Sequence, residues 1–254
     1  LRLAGAWTGD GFIDWRGINF DGLHVARPRT IGELAVETAG VPGWANPETG
    51  DFADQRIRGL DGRPYGPLPR SWGRYRGLYR HGARTVISYT VGEAAILESY
   101  ELAAVEPAVF VRTLNIGKSP RDLALRVANA GAGFTLLGDP ALRRQTEDGF
   151  EVVRIPATAT PVNLALVYGA DGAAAKLAGK PPLDLRAFTR GGPPQWSVPI
   201  EAPVIRGAET GAFVVDSFSL PLRAANPWKS WMRTSGHDFL PGADAAVVCT
   251  WDGE

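Results

Sequence analysis

The sequence predicts an all-β protein: a large antiparallel β-sandwich with long loops rich in Trp, Gly and Pro. Three observations lead there. Glycine (31) and proline (20) together make up about a fifth of the 254 residues, which interrupts the chain too often for long helices. Short runs rich in Val, Ile and Phe recur, each bounded by Gly, Pro, Asn or Asp. Neither a strand–helix alternation nor a repeat period runs through the chain, which disfavours doubly wound and solenoid folds. A sandwich of this length can be one unit.

Taken in order, residues 1–83 read as a loop-rich region. It holds four of the eight tryptophans, Trp7, Trp15, Trp44 and Trp72, and short strands near Ile31–Thr38. Its turn chemistry is dense: Val41-Pro42-Gly43, Asn46-Pro47, Thr49-Gly50-Asp51, Asp61-Gly62 and Gly66-Pro67. Aromatic rings bury roughly 150 Å² or more each, so such a segment is expected to fold onto the sandwich without regular structure. From Arg84 the register changes. Arg84–Val91 alternates, Gly92-Glu93 turns the chain, and Ala94–Glu98 reads as the return strand, although 93–106 also carries helix propensity. Further strands are expected at Ala108–Ile116, Leu123–Ala128, Phe150–Ile155, Val162–Tyr168 and Ala212–Leu220. Gly117–Pro120 and Glu147–Gly149 read as hairpin turns. Asn226-Pro227-Trp228 closes the last sandwich strand, because Pro cannot continue a central ladder. The sandwich domain is therefore expected over 1–225. Residues 226–254 read as a linker and the first strand of a following β-propeller, with no partner for that strand inside the chain. Opening on Leu-Arg-Leu and stopping at Trp251-Asp252-Gly253-Glu254, the chain reads as a piece of a longer protein.

Composition removes several function classes. Lys+Arg and Asp+Glu are both 27, so no global field favours nucleic acid or an anionic membrane. No run of about 18 apolar residues exists to span a membrane. The one cysteine, Cys249, excludes an intrachain disulfide and a CxxCH haem site, and within its apolar run it reads as a buried small hydrophobe. None of His24, His81 and His237 stands in an HExxH or HxH setting, so neither a metal nor a cofactor is expected in this segment. GxSxG is missing. The Gly-rich Gly5–Gly11 lacks a phosphate-loop lysine.

The segment Arg70–His81 (RSWGRYRGLYRH) interleaves Arg70, Arg74, Arg76 and Arg80 with Trp72, Tyr75 and Tyr79. Flat rings beside arginine suit sugars, acidic ones included, because guanidinium grips carboxylate or sulfate bidentately. The plainer reading is a twisted strand with arginines outward and aromatics packed inward. Residues placed to contact a sugar are Trp15, Asn19, Asp21, His24, Trp44, Trp72, Tyr75, Arg76 and His81. Early-loop carboxylates (Asp10, Asp14, Asp21, Glu48, Asp51) would matter to a glycosidase only as a pair roughly 5–10 Å apart.

The stretches Asp14–His24 (DWRGINFDGLH), Pro42–Gly50 (PGWANPETG), Asp61–Pro69 (DGRPYGPLP), Tyr75–Tyr79 (YRGLY), Val86–Gly92 (VISYTVG) and Gly236–Gly253 carry a resemblance. Together they resemble an uncharacterised domain of large secreted proteins from planctomycetes and related bacteria. In those proteins the domain precedes a β-propeller of the sugar-dehydrogenase type and a c-type cytochrome module. The resemblance implies export (a secreted or periplasmic location), a propeller partner in the same chain, haem c only in a neighbouring domain, and poly- or oligosaccharide ligands. It supplies no catalytic residues. The strand run with its Trp-rich loops also resembles the galactose-mutarotase-like supersandwich. Two main readings follow. The first is an accessory domain that binds carbohydrate or docks the propeller. The second is a glycoside hydrolase or polysaccharide lyase using His24, His81 and the loop carboxylates. A structural spacer is the third. Geometry separates them: a deep cleft joining His24, His81, Arg76 and a carboxylate favours an enzyme, a shallow aromatic platform favours binding, and tryptophans buried against the sheet favour structure.

Overall fold

The computed structural model describes residues 2–9, 13–14, 29–169, 175–177, 179–193, 200–229, 231–242 and 246–250. The chain forms two compact units, Leu1–Pro193 and Pro194–Glu254. The boundary expected at 225/226 falls inside the second. Among the described residues the helical pieces are two 3-10 turns, Ala175–Leu177 and Leu185–Thr189; the rest of the regular structure is β.

In the first unit, β1 (Gly5–Thr8), β2 (Ile13–Asp14), β3 (Arg29–Thr30), β4 (Glu33–Glu37), β5 (Ile57–Arg58) and β6 (Pro64–Tyr65) make three small antiparallel pairs, β1–β4, β2–β3 and β5–β6. The sandwich follows: β7 (Gly73–His81), β8 (Arg84–Val91), β9 (Ala94–Ala103), β10 (Val109–Ile116), β11 (Leu123–Asn129), β12 (Phe134–Gly138), β13 (Arg143–Glu147), β14 (Phe150–Ile155) and β15 (Val162–Tyr168). The larger sheet has the order β12–β15–β10–β9–β8–β7, and the smaller one β11–β14–β13. The period of two brings Ile96, Leu114, Ile116, Leu164 and Leu166 of the large sheet against Leu125, Val127, Val153 and Ile155 of the small one. Val109, Val111, Ala165 and Val167 point the other way and pack with Leu177. On that face Asn115 Nδ2 donates to Leu183 O (2.9 Å), and its Oδ1 accepts from Leu185 N (2.6 Å). Cover on both faces explains why β10 and β15 are almost continuously buried.

Strand pairing decides the open sequence alternatives. Residues 94–103 form a ten-residue strand hydrogen-bonded on both sides, overriding their helix propensity. Glu147–Gly149 does turn a hairpin between β13 and β14, with Asp148 at φ 49° and Gly149 at φ 80°. Gly117–Pro120 is not a hairpin turn. β10 already pairs with β9 and β15, so the chain crosses to the smaller sheet, where Ser119 and Thr158 form a bridge. The described loops before β7 do lie on the sandwich: Arg126 N donates to Gly43 O (2.7 Å) and Ala45 N to Ala124 O (2.9 Å) along the free edge of β11.

The second unit contains two ribbons. β16 (Val204–Ile205) pairs with β17 (Ser217–Phe218), and β18 (Thr234–Phe239) with β19 (Ala246–Thr250). Of the strand expected at Ala212–Leu220 only β17 is regular. β19 was expected to lack a partner but pairs with β18, drawn from the stretch read as a linker. Cys249 is exposed rather than buried: a two-stranded ribbon has no second layer to cover it.

A candidate binding surface along the edge strand β7

The chain enters β7 through a tight turn in which Trp72 N and Gly73 N both donate to Pro69 O (2.9 and 3.0 Å). Trp72 drops into the core, where its Nε1 donates to Trp44 O (3.1 Å). Trp44, also buried, donates from Nε1 to the Tyr89 hydroxyl (3.0 Å), and Tyr89 donates on to Glu98. Two of the tryptophans placed against a sugar are thus structural, and they tie the loops to a polar centre. At that centre Glu98 also accepts from Tyr100 and from Arg112 Nε (2.7 Å). Neither Glu98 nor Arg112 has any exposed side-chain surface. Burial pushes the Glu98 carboxyl up, but the Arg112 charge and the hydrogen bonds from Tyr100, Tyr89 and Arg112 outweigh it and hold the carboxyl below its usual range. Burial first, then the Glu98 charge, drive Tyr89 well above the usual phenol range. Among the described residues Arg112 Nη1 and Nη2 have no hydrogen-bond partner.

β7 itself points outward. By register Tyr75, Leu78 and Arg80 share one face, while Arg74, Tyr79 and His81 share the other. Arg76 is the additional residue of a bulge between Tyr75 and Gly77. Tyr75 is 61% exposed, Leu78 59% and Tyr79 40%. Trp72 packs inward as the plainer reading of this segment had it, but Tyr75 and Tyr79 do not, because a three-stranded layer cannot cover a six-stranded one out to its edge. Beside Tyr75 lies a cleft of about 460 Å³, with Arg2, Arg56, Pro67 and Arg74 around it and the two buried tryptophans on its floor. Arg56 is oriented by Asp54 through two hydrogen bonds (2.9 and 2.6 Å), and Arg2 Nη1 donates to Thr38 O (2.8 Å). Among the described residues no Asp, Glu or His lines this cleft.

Of the nine residues expected to meet a sugar, the cleft unites Trp44, Trp72 and Tyr75, and Arg76 follows directly in the bulge. His81 ends the strand roughly 17–20 Å from Tyr75 at ~3.3 Å per residue. Its ring stands edge-on to Phe188, centroids 5.2 Å apart. Trp15, Asn19, Asp21 and His24 lie outside the described residues. A second, mainly apolar cavity of about 870 Å³ opens beside β1, between Trp7, Tyr100, Phe110 and Tyr168, with Arg112 beneath. Among the described residues no group of three or more His, Cys, Asp or Glu could hold a metal ion. Sequence reasoning passed over Glu98 and Arg112. Their signal is a charged residue beside Ile or Leu two positions along the inward face, Ile96 before Glu98 and Leu114 after Arg112.

A model of a domain of unknown function (DUF6797) matches residues 1–98. The match spans the loop-rich region, β7, β8 and the first half of β9. No curated protein and no solved structure matches the chain.

Proposed function

We propose that this chain is an accessory carbohydrate-binding β-sandwich of an exported multidomain protein. The observation that carries the reading is the open ring of Tyr75, on an edge strand beside an arginine-lined cleft. A pyranose presents an apolar face that stacks on a ring and hydroxyls that accept from guanidinium N–H groups. Binding is favoured over cleavage because hydrolysis takes two carboxyls roughly 5–10 Å apart. No carboxylate lines the cleft among the described residues, and His81 belongs to the other end of the strand. The resemblance to planctomycete-type secreted proteins supports the setting: outside the cytoplasm, ahead of a propeller, with haem c in a neighbouring module. A docking role for residues 194–254 draws support from Phe213, Phe218 and Leu222, which are 90%, 74% and 73% exposed, as a surface awaiting a partner would be.

The test is a glycan array probed with the wild-type chain and with Tyr75→Ala. Retention of one glycan class by the wild type, at least tenfold weaker in the variant, supports the reading. Absence of glycan binding, or binding indifferent to Tyr75, overturns it.

A further inference from the structure

Between Asp61 and Glu93 the chain carries six arginines, no lysine and no acid, although its overall charge is zero. Two of the six are engaged: Arg63 with Asp61, and Arg84 with Glu101. Arg70, Arg74, Arg76 and Arg80 are exposed and, among the described residues, make no ion pair. Three of them sit on β7 itself, alternating with Tyr75, Leu78 and Tyr79, and Arg74 borders the cleft. Arginines on an edge strand also discourage pairing with other chains. That role needs only one or two charges and does not call for open tyrosines between them.

We infer that β7 is the track for an acidic polysaccharide, a uronate-bearing glycan whose carboxylates lie on the guanidinium groups of Arg74, Arg76 and Arg80 while a sugar face stacks on Tyr75 beside the cleft. The inference rests on the carbohydrate reading and adds the charge of the ligand. A planar carboxylate matches the two-pronged guanidinium donor edge. The bulge at Arg76 sets three charges along the strand out of strict alternation, so they fan across the edge rather than line one face. A uronate chain carries its charge at every sugar and tolerates that spread. No acid stands on the strand itself.

The experiment titrates the full 254-residue chain calorimetrically with hexagalacturonate and with its fully methyl-esterified form, which has the same sugars without the charge. The account expects the acid to bind at least tenfold more tightly than the ester and to weaken steeply as salt rises from 50 to 300 mM. The triple variant Arg74→Gln/Arg76→Gln/Arg80→Gln should lose the acid and keep the wild-type melting temperature, since these side chains are exposed. Tyr75→Ala should lose both ligands. Equal binding of acid and ester overturns the inference and leaves the carbohydrate reading standing. If neither binds while the array gives a neutral glycan, the result is the same. Binding of single-stranded polyuridylate as tight as that of hexagalacturonate overturns it too, by making the strand a general polyanion surface.

Discussion

Glu98 and Arg112 show what a single residue carries in this fold. Each sits on the inner face of the large sheet, in a cluster with Tyr89 and Tyr100, and neither reaches water. Removing one partner strands the other charge in the core, which costs about 3–5 kcal/mol. Glu98→Gln is therefore expected to lower the melting temperature by roughly 10 °C, at ~2–4 °C per kcal/mol for a domain of this size. The double variant Glu98→Gln/Arg112→Met should recover much of that loss, because it leaves no unpaired charge; differential scanning calorimetry on the three proteins checks both statements. The pH dependence has a definite sign. The folded state holds the Glu98 carboxyl below its unfolded value of 4.5. The stability it confers is thus present above about pH 4.5 and is lost as pH falls through the lowered value. Urea midpoints measured from pH 6 down to pH 2 should fall more gently in the Glu98→Gln variant than in the wild type.

Strands with a full alternating or continuous apolar pattern were legible in the sequence: Arg84–Val91, Phe150–Ile155 and Val162–Tyr168 form as read. β7 was legible as a twisted strand, but not as the open edge of the sheet. Its side chains are arginine, tyrosine and glycine, with too little burial on either face to write a hydrophobic period. For the same reason the interleaved Arg and Tyr residues stood out as surface candidates, since they have no core role to disguise them. Trp44 and Trp72 were legible as anchors of the site but not as its buried floor, because indole rings serve cores and sugar sites alike; the hydrogen bonds to Tyr89 and within the loop show their structural use. Gly117–Pro120 misled because a turn sequence records that the chain turns, not which sheet it enters next. One glycine carries a clear constraint. Gly138 ends β12 at φ 136°, and a Cβ there would meet Asn163 O at 2.5 Å on the paired strand β15. Gly138→Ala is expected to pull β12 from the edge of the sheet and cost roughly 1–3 kcal/mol. Hydrogen exchange would show it as lost protection in Phe134–Gly138 while β9 and β10 stay protected.

On the scale of the whole molecule, every member of the three hydrophobic clusters lies before Pro193. The described core of the sandwich thus draws its members from the first unit. A chain ending at Pro193 is expected to melt within about 3 °C of the full chain, a difference worth no more than roughly 1 kcal/mol. It should also keep the same ligand preference, since β7 and its cleft are complete in the first unit. Large destabilisation on truncation would instead assign residues 194–254 to the sandwich.

The account turns on where a glycan lies, and amide hydrogen exchange of the full chain with and without saturating hexagalacturonate measures that most directly. The amides of Gly73–His81, on a strand with one open edge, should slow on binding, together with those of the turn before it, while β12 at the opposite edge of the same sheet stays unchanged. Protection that spares β7 and falls instead on β1 and the cavity beside Tyr100, or that appears nowhere, would contradict it.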